Sequence, residues 1–404
     1  MAPYTRSEAK AWARAHMIKS TNAVPTPFKA DFGLDLPTLA SHVDRWASDG
    51  LYGLMTGGNT AEAWNMTPTE WWQYSETVAK ANRGRMMLTS VILDPSPFTV
   101  IEKAHRLAEL GFHLIEVINP VIQLRSDADL YGFYKYLSDH SPLGIVLYNT
   151  PTAGVVLNHG LLNRLADLEM VVGIKNGLLN PADTIALRKQ TGDRMVVTEP
   201  MESFYLWDSI VHGGQCLFGT CEYVMFGKQR DTFVRSMELA EAGKFDEALP
   251  LYRQLDPIRD LMNDIFVWNI VRKNQYSLAP IKYWFELLGM PMGPCRPPLE
   301  PYADEVEHLV GLGMHVQADG LFRGILRGLH DFGIAPATPF RDEAADSVAE
   351  QFGAELSNWR KRLPSHATQP RLDAFLAVPS GRIGPARCFG GWAEPRGVEV
   401  LGVA

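Results

Sequence analysis

Eight short, apolar, β-rich runs recur between Asn22 and Phe218, and segments of helical period separate them. The runs are Asn22–Pro25, Leu51–Thr56, Met86–Ile92, His113–Ile118, Gly144–Tyr148, Val171–Lys175, Met195–Thr198 and Gln215–Phe218. Between them, Ile101, Ala104, Leu107, Ala108 and Phe112 share a helical face, as do Leu161, Leu162, Leu165 and Leu168. Apolar strands alternating with amphipathic helices are the pattern of an α/β fold with a parallel sheet. Eight repeats predict a (β/α)8 TIM barrel; an open doubly wound sheet is the alternative and usually needs fewer repeats.

The chain is 404 residues long, more than one barrel needs. The pattern divides it into an N-terminal helix or arm over 1–20, a barrel over 21–228, C-terminal helices over 229–315 and an extension over 316–404. In the third region Phe245, Ala248, Leu249, Tyr252 and Leu255 line one helical stripe, and Ile281, Trp284, Phe285 and Leu288 line another. A turn-rich segment, Gly293-Pro294-Cys295-Arg296-Pro297-Pro298, follows. Asp342–Leu363 has the period of a last helix. From Pro364 onward the chain is rich in Pro, Gly and Arg and is expected to form a mobile tail or a surface arm.

Composition excludes several classes of function. Lys and Arg total 38 against 46 Asp and Glu, a formal net charge of −8, without the basic stripe of a nucleic-acid binder. A polybasic membrane-surface protein is excluded on the same ground. No run of about 18 apolar residues suggests a membrane span, and the N-terminus lacks the apolar core of a secretory signal. Four cysteines are too few for a disulfide framework, so cytoplasm is the expected compartment. Cys216 and Cys221 are expected to be buried thiols. There is no H-E-x-x-H, C-x-x-C, phosphate-binding P-loop or G-x-G-x-x-G after a strand, so neither a metal nor a dinucleotide is expected.

In such a barrel the active site lies at the C-terminal ends of the strands, and three polar features fall there. Gly57-Gly58-Asn59-Thr60 follows the second strand: either a carboxylate cradle at a helix N-terminus or a simple helix cap. Tyr148-Asn149-Thr150-Pro151 ends the fifth strand; the tyrosine is either a proton relay or a residue of the core rim. Lys175 ends the apolar run Val171-Val172-Gly173-Ile174. It is either a structural ion-pair partner or, with its pKa lowered by desolvation, an amine nucleophile toward a ketone.

Together the three resemble the dihydrodipicolinate synthase/N-acetylneuraminate lyase superfamily of Schiff-base aldolases. The resemblance covers about residues 20–315. It rests on Pro25-Thr26-Pro27-Phe28, Gly58-Asn59-Thr60-Ala61-Glu62, Tyr148-Asn149-x-Pro151 and Gly173-Ile174-Lys175. It implies that Lys175 forms an imine with a 2-oxo acid such as pyruvate, and that no cofactor is required. It implies that Tyr148 shuttles the proton with Thr60 in reach, while Gly58, Asn59 and Thr60 hold the carboxylate. It also implies a homo-oligomer, a dimer or a tetramer.

Departures from the family pattern bear on the second substrate. Dihydrodipicolinate synthases place an arginine where this chain has Ala153, and lend a tyrosine between subunits from a segment matching Pro120-Val121-Ile122. The resemblance therefore implies an apolar distal pocket, with Trp64 or Phe218 at its mouth, and a relay short of one member. It is closest to the hydratase-aldolases, whose partner for pyruvate is an apolar, aromatic aldehyde. A 2-oxo sugar-acid dehydratase is the alternative, with Glu199 and Glu202 as its polar contacts. A barrel that binds without turnover is the third possibility, and keeping both Lys175 and Tyr148 weighs against it.

Overall fold

The computed structural model describes residues 2–120, 124–219, 221–273 and 275–299. Val121, Ile122, the end of the 229–315 region, the 316–404 extension, the Asp342–Leu363 helix and the tail from Pro364 lie outside the described residues.

Eight strands form: β1 (Lys19–Ala23), β2 (Gly53–Thr56), β3 (Met87–Ile92), β4 (Leu114–Ile118), β5 (Gly144–Asn149), β6 (Val171–Asn176), β7 (Val196–Thr198) and β8 (Cys216–Gly219). Every neighbouring pair is parallel, in the order β7-β6-β5-β4-β3-β2-β1-β8. A parallel bridge between Glu199 and Leu217 joins the two ends and closes the circle. Parallel neighbours need crossovers, and the helices between the strands supply them. The expected (β/α)8 barrel is therefore observed.

One strand is displaced from its expected place. β1 runs Lys19–Ala23 rather than Asn22–Pro25, pairing through Lys19 to Asn22 with β8. Pro25 has no N–H to give to a ladder, so the strand ends before it. Helix starts follow capping chemistry. Thr67 and Glu70 form a reciprocal capping box before Pro68–Asn82, and the Ser96 and Asn180 side chains cap Pro97–Glu109 and Pro181–Thr191.

The N-terminal helix, Ala9–His16, packs across the bottom of the barrel with Ala9 and Ala13 buried. Arg6 donates to the Ser138 and Ser141 carbonyls, and Lys10 to that of Ala166 at 2.5 Å. Met17 then reaches the inside of β6. A Cβ on Gly173 would meet its methyl at 3.0 Å and the Val196 carbonyl at 3.1 Å, a tight fit that a larger residue would enter only if these neighbours shifted.

Beyond β8 the chain continues as helices, including Arg230–Glu241, Phe245–Gln254, Asp256–Met262, Trp268–Lys273 and Ala279–Leu287, with a π-helical turn at Asn263–Val267. Ile281, Trp284, Phe285 and Leu288 are buried as the sequence pattern requires. The turn-rich segment after them is a clamp. Arg296 pairs with Glu70 and donates to the Phe32 and Asn65 carbonyls, while its own N–H donates to Glu62 at 2.8 Å. Lys282, fully buried, pairs with Glu62 at 2.6 Å and donates to the Pro294 carbonyl. Gly293 has φ +63°, and a Cβ there would lie 2.0 Å from the Phe28 carbonyl oxygen. The loops after β1 and β2 are thus fastened to the appendage.

Candidate active site

The strand ends open into a cavity lined by Gly58, Asn59, Thr60, Tyr148 and Lys175. The ladder explains why these residues meet. Ile118, Tyr148 and Lys175 are register partners across β4, β5 and β6, and Lys175 pairs on with Thr198 of β7. Paired residues share a face of the sheet, so Tyr148 and Lys175 project into the cavity side by side. The Lys175 ammonium lies 4.9 Å from the centre of the Tyr148 ring.

The electrostatics differ from expectation at the lysine. Burial alone would lower the Lys175 pKa, but Glu116, Tyr148 and Glu222 act against it and together prevail. The ammonium is held above its ordinary range rather than below it. The nearest of these groups is Glu116, whose Oε1 is 3.8 Å from Nζ. Burial raises the Glu116 pKa in turn, opposed by Lys175. Tyr148 is raised too, chiefly by burial, with Lys175, Asn59 and Thr150 opposing.

Thr60 is buried and lies in the cavity, but its partner is a residue absent from the expected set. Its hydroxyl is 2.7 Å from that of Tyr276, in the loop between Trp268–Lys273 and Ala279–Leu287. Tyr276 also lines the cavity, and burial, with Tyr148 adding to it, holds its hydroxyl well above the ordinary range. A tyrosine of this same chain thus stands beside Thr60, where the sequence pattern leaves the expected relay short of one member.

Two expected contacts are placed elsewhere. Phe218 lies in β8 in register with Thr21, fully buried and outside the cavity lining. Ala153 is buried in the short turn Pro151–Ala153, and its neighbours Thr150 and Thr152 reach the cavity instead. Trp64 borders an adjoining groove with Asn59, Thr152, Tyr276, Leu278 and Leu299. Glu199 lies off the cavity, accepting from the Thr184 hydroxyl and the Met201 N–H, and burial pushes its pKa up to about 7. Glu202 does line the cavity, paired with Arg259 at 2.6 Å. Cys216 and Cys221 are buried free thiols, as expected.

Sequence reasoning passed over Glu116, Glu222, Arg259 and Tyr276. For Glu116 there was a signal: a lone charge in the apolar run Leu114-Ile115-Glu116-Val117-Ile118. Among the described residues no cluster of three or more His, Cys, Asp or Glu side chains is arranged to hold a metal ion. No helix of the described residues is long and apolar enough to cross a membrane.

A model of the dihydrodipicolinate synthetase family matches residues 16–312. The chain belongs to this family. Curated relatives include 4-hydroxy-tetrahydrodipicolinate synthase 1 of Halalkalibacterium halodurans, 25% identical over 296 residues, covering 73% of this chain and 95% of the relative. The 4-hydroxy-tetrahydrodipicolinate synthase of a Synechococcus species is 28% identical over 282 residues, covering 69% and 87%. Among solved structures, the chloride-inhibited dihydrodipicolinate synthase of Acinetobacter baumannii in complex with pyruvate aligns with TM-score 0.64 at 21% identity, covering 79% of this chain and 99% of the other. Proteus mirabilis N-acetylneuraminate lyase aligns with TM-score 0.61 at 18% identity, covering 72% and 95%. These structures share the fold. As a member of the dihydrodipicolinate synthetase family the chain is an enzyme, a class I aldolase or lyase; the family's enzymes use a lysine Schiff base with pyruvate and no cofactor.

Proposed function

We propose that this enzyme makes or breaks a carbon–carbon bond between pyruvate and an uncharged, apolar aldehyde, most suitably an aromatic one, in the manner of a hydratase-aldolase. Lys175 is its imine-forming residue, Tyr148 its proton shuttle, and Gly58, Asn59 and Thr60 its carboxylate cradle. As imine, the substrate holds an electron sink, so a carbanion beside it becomes an enamine. The same reading takes the enzyme to be a cytoplasmic homo-oligomer, a dimer or tetramer.

The observation that carries the choice of acceptor is the state of Arg259. Besides Lys175 it is the cation among the described cavity-lining residues, and it is already engaged. Glu202 takes it at 2.6 and 3.0 Å through two oxygens, and Asp256 pairs with it as well. A second substrate carboxylate would therefore enter without a counter-charge, which burial makes very costly. The cavity lining instead offers Met201, Met225, Met262, Phe266, Val267 and Ile270.

A second reading has its own support. Glu116, Glu202 and Glu222 line the same cavity and would suit the hydroxyls of a 2-oxo sugar acid undergoing dehydration. The test is a screen of pyruvate against benzaldehydes, aliphatic aldehydes, aspartate semialdehyde and sugar aldehydes, with 5-keto-4-deoxyglucarate assayed separately for loss of water. Preference for a benzaldehyde supports the proposal. Preference for aspartate semialdehyde or a sugar acid overturns the acceptor and leaves the lysine chemistry standing.

A further inference from the structure

Glu116 is the one described carboxylate in the cavity lining whose two oxygens are both buried with no hydrogen-bond partner among the described residues. It is fully buried in the middle of β4, paired with Val91 on one side and Val146 on the other. Tyr148 stands two residues farther along β5 on the same face, with Lys175 beside it. The groups facing Glu116 are Lys175 from β6 and Tyr148 from β5, and Glu222 and Cys221 act on the same lysine.

Other buried carboxylates here are held in place by donors. Glu62 has Lys282 and the Arg296 N–H; Glu202 has two guanidinium contacts; Glu199 has the Thr184 hydroxyl and the Met201 N–H. Among the described residues Glu116 has only the Lys175 ammonium, at 3.8 Å. A buried ion pair without supporting hydrogen bonds recovers little of its desolvation cost. Lys175 must lose a proton before it can attack, and Glu116, with no other described partner, is the base beside its ammonium.

We propose that Glu116 is a further catalytic residue of the imine-forming step, taking a proton from Lys175 so that the free amine can attack, and giving it back as water departs. The inference rests on Lys175 being the imine-forming lysine. An Nζ–H bond breaks, its proton goes to Glu116, and the nitrogen lone pair forms the C–N bond as the carbonyl π pair moves to oxygen. Of the three ammonium protons, one stays on the iminium nitrogen and two leave with the oxygen as water. Glu116 carries the first of those two, and passes it on through the Tyr148 hydroxyl of the same cavity. It ends as a carboxylate next to the iminium cation, so charge balances at both ends of the step.

A carboxylate that served only to neutralise Lys175 would have the opposite effect: it would keep the lysine protonated, and its removal would free the amine. The experiment is therefore the rate at which pyruvate and borohydride label Lys175 at neutral pH, followed by intact mass, in the wild-type protein and in Glu116→Gln. The expected result is labelling slowed about 10²-fold, within the range for positioned proton transfer, and recovering as pH is raised. In Glu116→Ala, added formate should restore part of the rate, which also serves if the glutamine variant does not fold. Glutamine-variant labelling as fast as wild type or faster, or an alanine variant indifferent to formate, overturns the proposal. Absence of label in the wild type overturns the reading of Lys175 instead.

Discussion

The Thr60 and Tyr276 hydroxyls are 2.7 Å apart although 216 residues separate them in the chain. This contact ties the loop after β2 to the C-terminal helices at the edge of the cavity that holds Tyr148 and Lys175. Removing the Tyr276 hydroxyl leaves Thr60 without its partner while the ring still fills its place. A single hydrogen bond is worth about 0.5–1.5 kcal/mol, so Tyr276→Phe should lower kcat by about tenfold or less. Thr60→Val should cost a similar factor, and the double variant little more than either. Additive losses in the four-way kinetic comparison would show that the two hydroxyls act separately.

Tyr148→Phe removes a positioned proton donor from beside Lys175. Binding of pyruvate should largely survive, and borohydride trapping should persist at a slower rate. Steady-state kcat should fall by roughly 10²–10⁴-fold. An unchanged kcat would make Tyr148 a rim residue and leave the relay to Thr60 and Tyr276.

Much of this site can be read from sequence because its residues follow apolar runs. Lys175, Tyr148 and Asn59-Thr60 each come where a barrel strand ends, and strand ends are where such a fold puts its chemistry. Glu116 was passed over because it sits inside its run, where two-residue alternation turns it toward the barrel interior. Tyr276 carries no local signal; only tertiary packing brings its loop to β2. Phe218 and Ala153 fail for a related reason: an apolar residue near a strand end reads alike whether it faces a cavity or a packed core. Full burial of Phe218 outside the cavity lining decides it for the core.

The buried pair Glu62–Lys282 belongs to the clamp rather than to the chemistry. Lys282→Met would leave Glu62 in the interior without its cation. Breaking such a pair from one side costs about 3–5 kcal/mol. Urea unfolding should show a lower midpoint with an unchanged slope, and replacing both residues by apolar ones should restore much of the loss. A midpoint unaffected by Lys282→Met would mean that Arg296 alone holds the loop.

His42 sets a pH dependence. It is buried on the helix Leu36–Ser48 with neither ring nitrogen hydrogen-bonded among the described residues, and burial lowers its pKa from 6.5 to about 4. The unfolded chain takes up a proton below about pH 6.5 that the folded chain refuses until about pH 4. This contribution to stability is therefore complete above 6.5 and is lost as pH falls toward 4, in total about 3 kcal/mol. His42→Leu should flatten stability against pH across that window in urea titrations. An unchanged slope would assign the acid sensitivity to other groups.

Lys175 is the residue on which the proposed chemistry depends. Wild-type protein incubated with pyruvate and borohydride, then measured by intact mass and peptide mapping, should carry one three-carbon adduct, on Lys175 alone. Lys175→Ala should carry none and turn over no substrate, and Lys175→Arg should be equally inactive because a guanidinium stays protonated. An adduct on another residue, or full turnover by Lys175→Ala, would contradict a Schiff-base mechanism at this site.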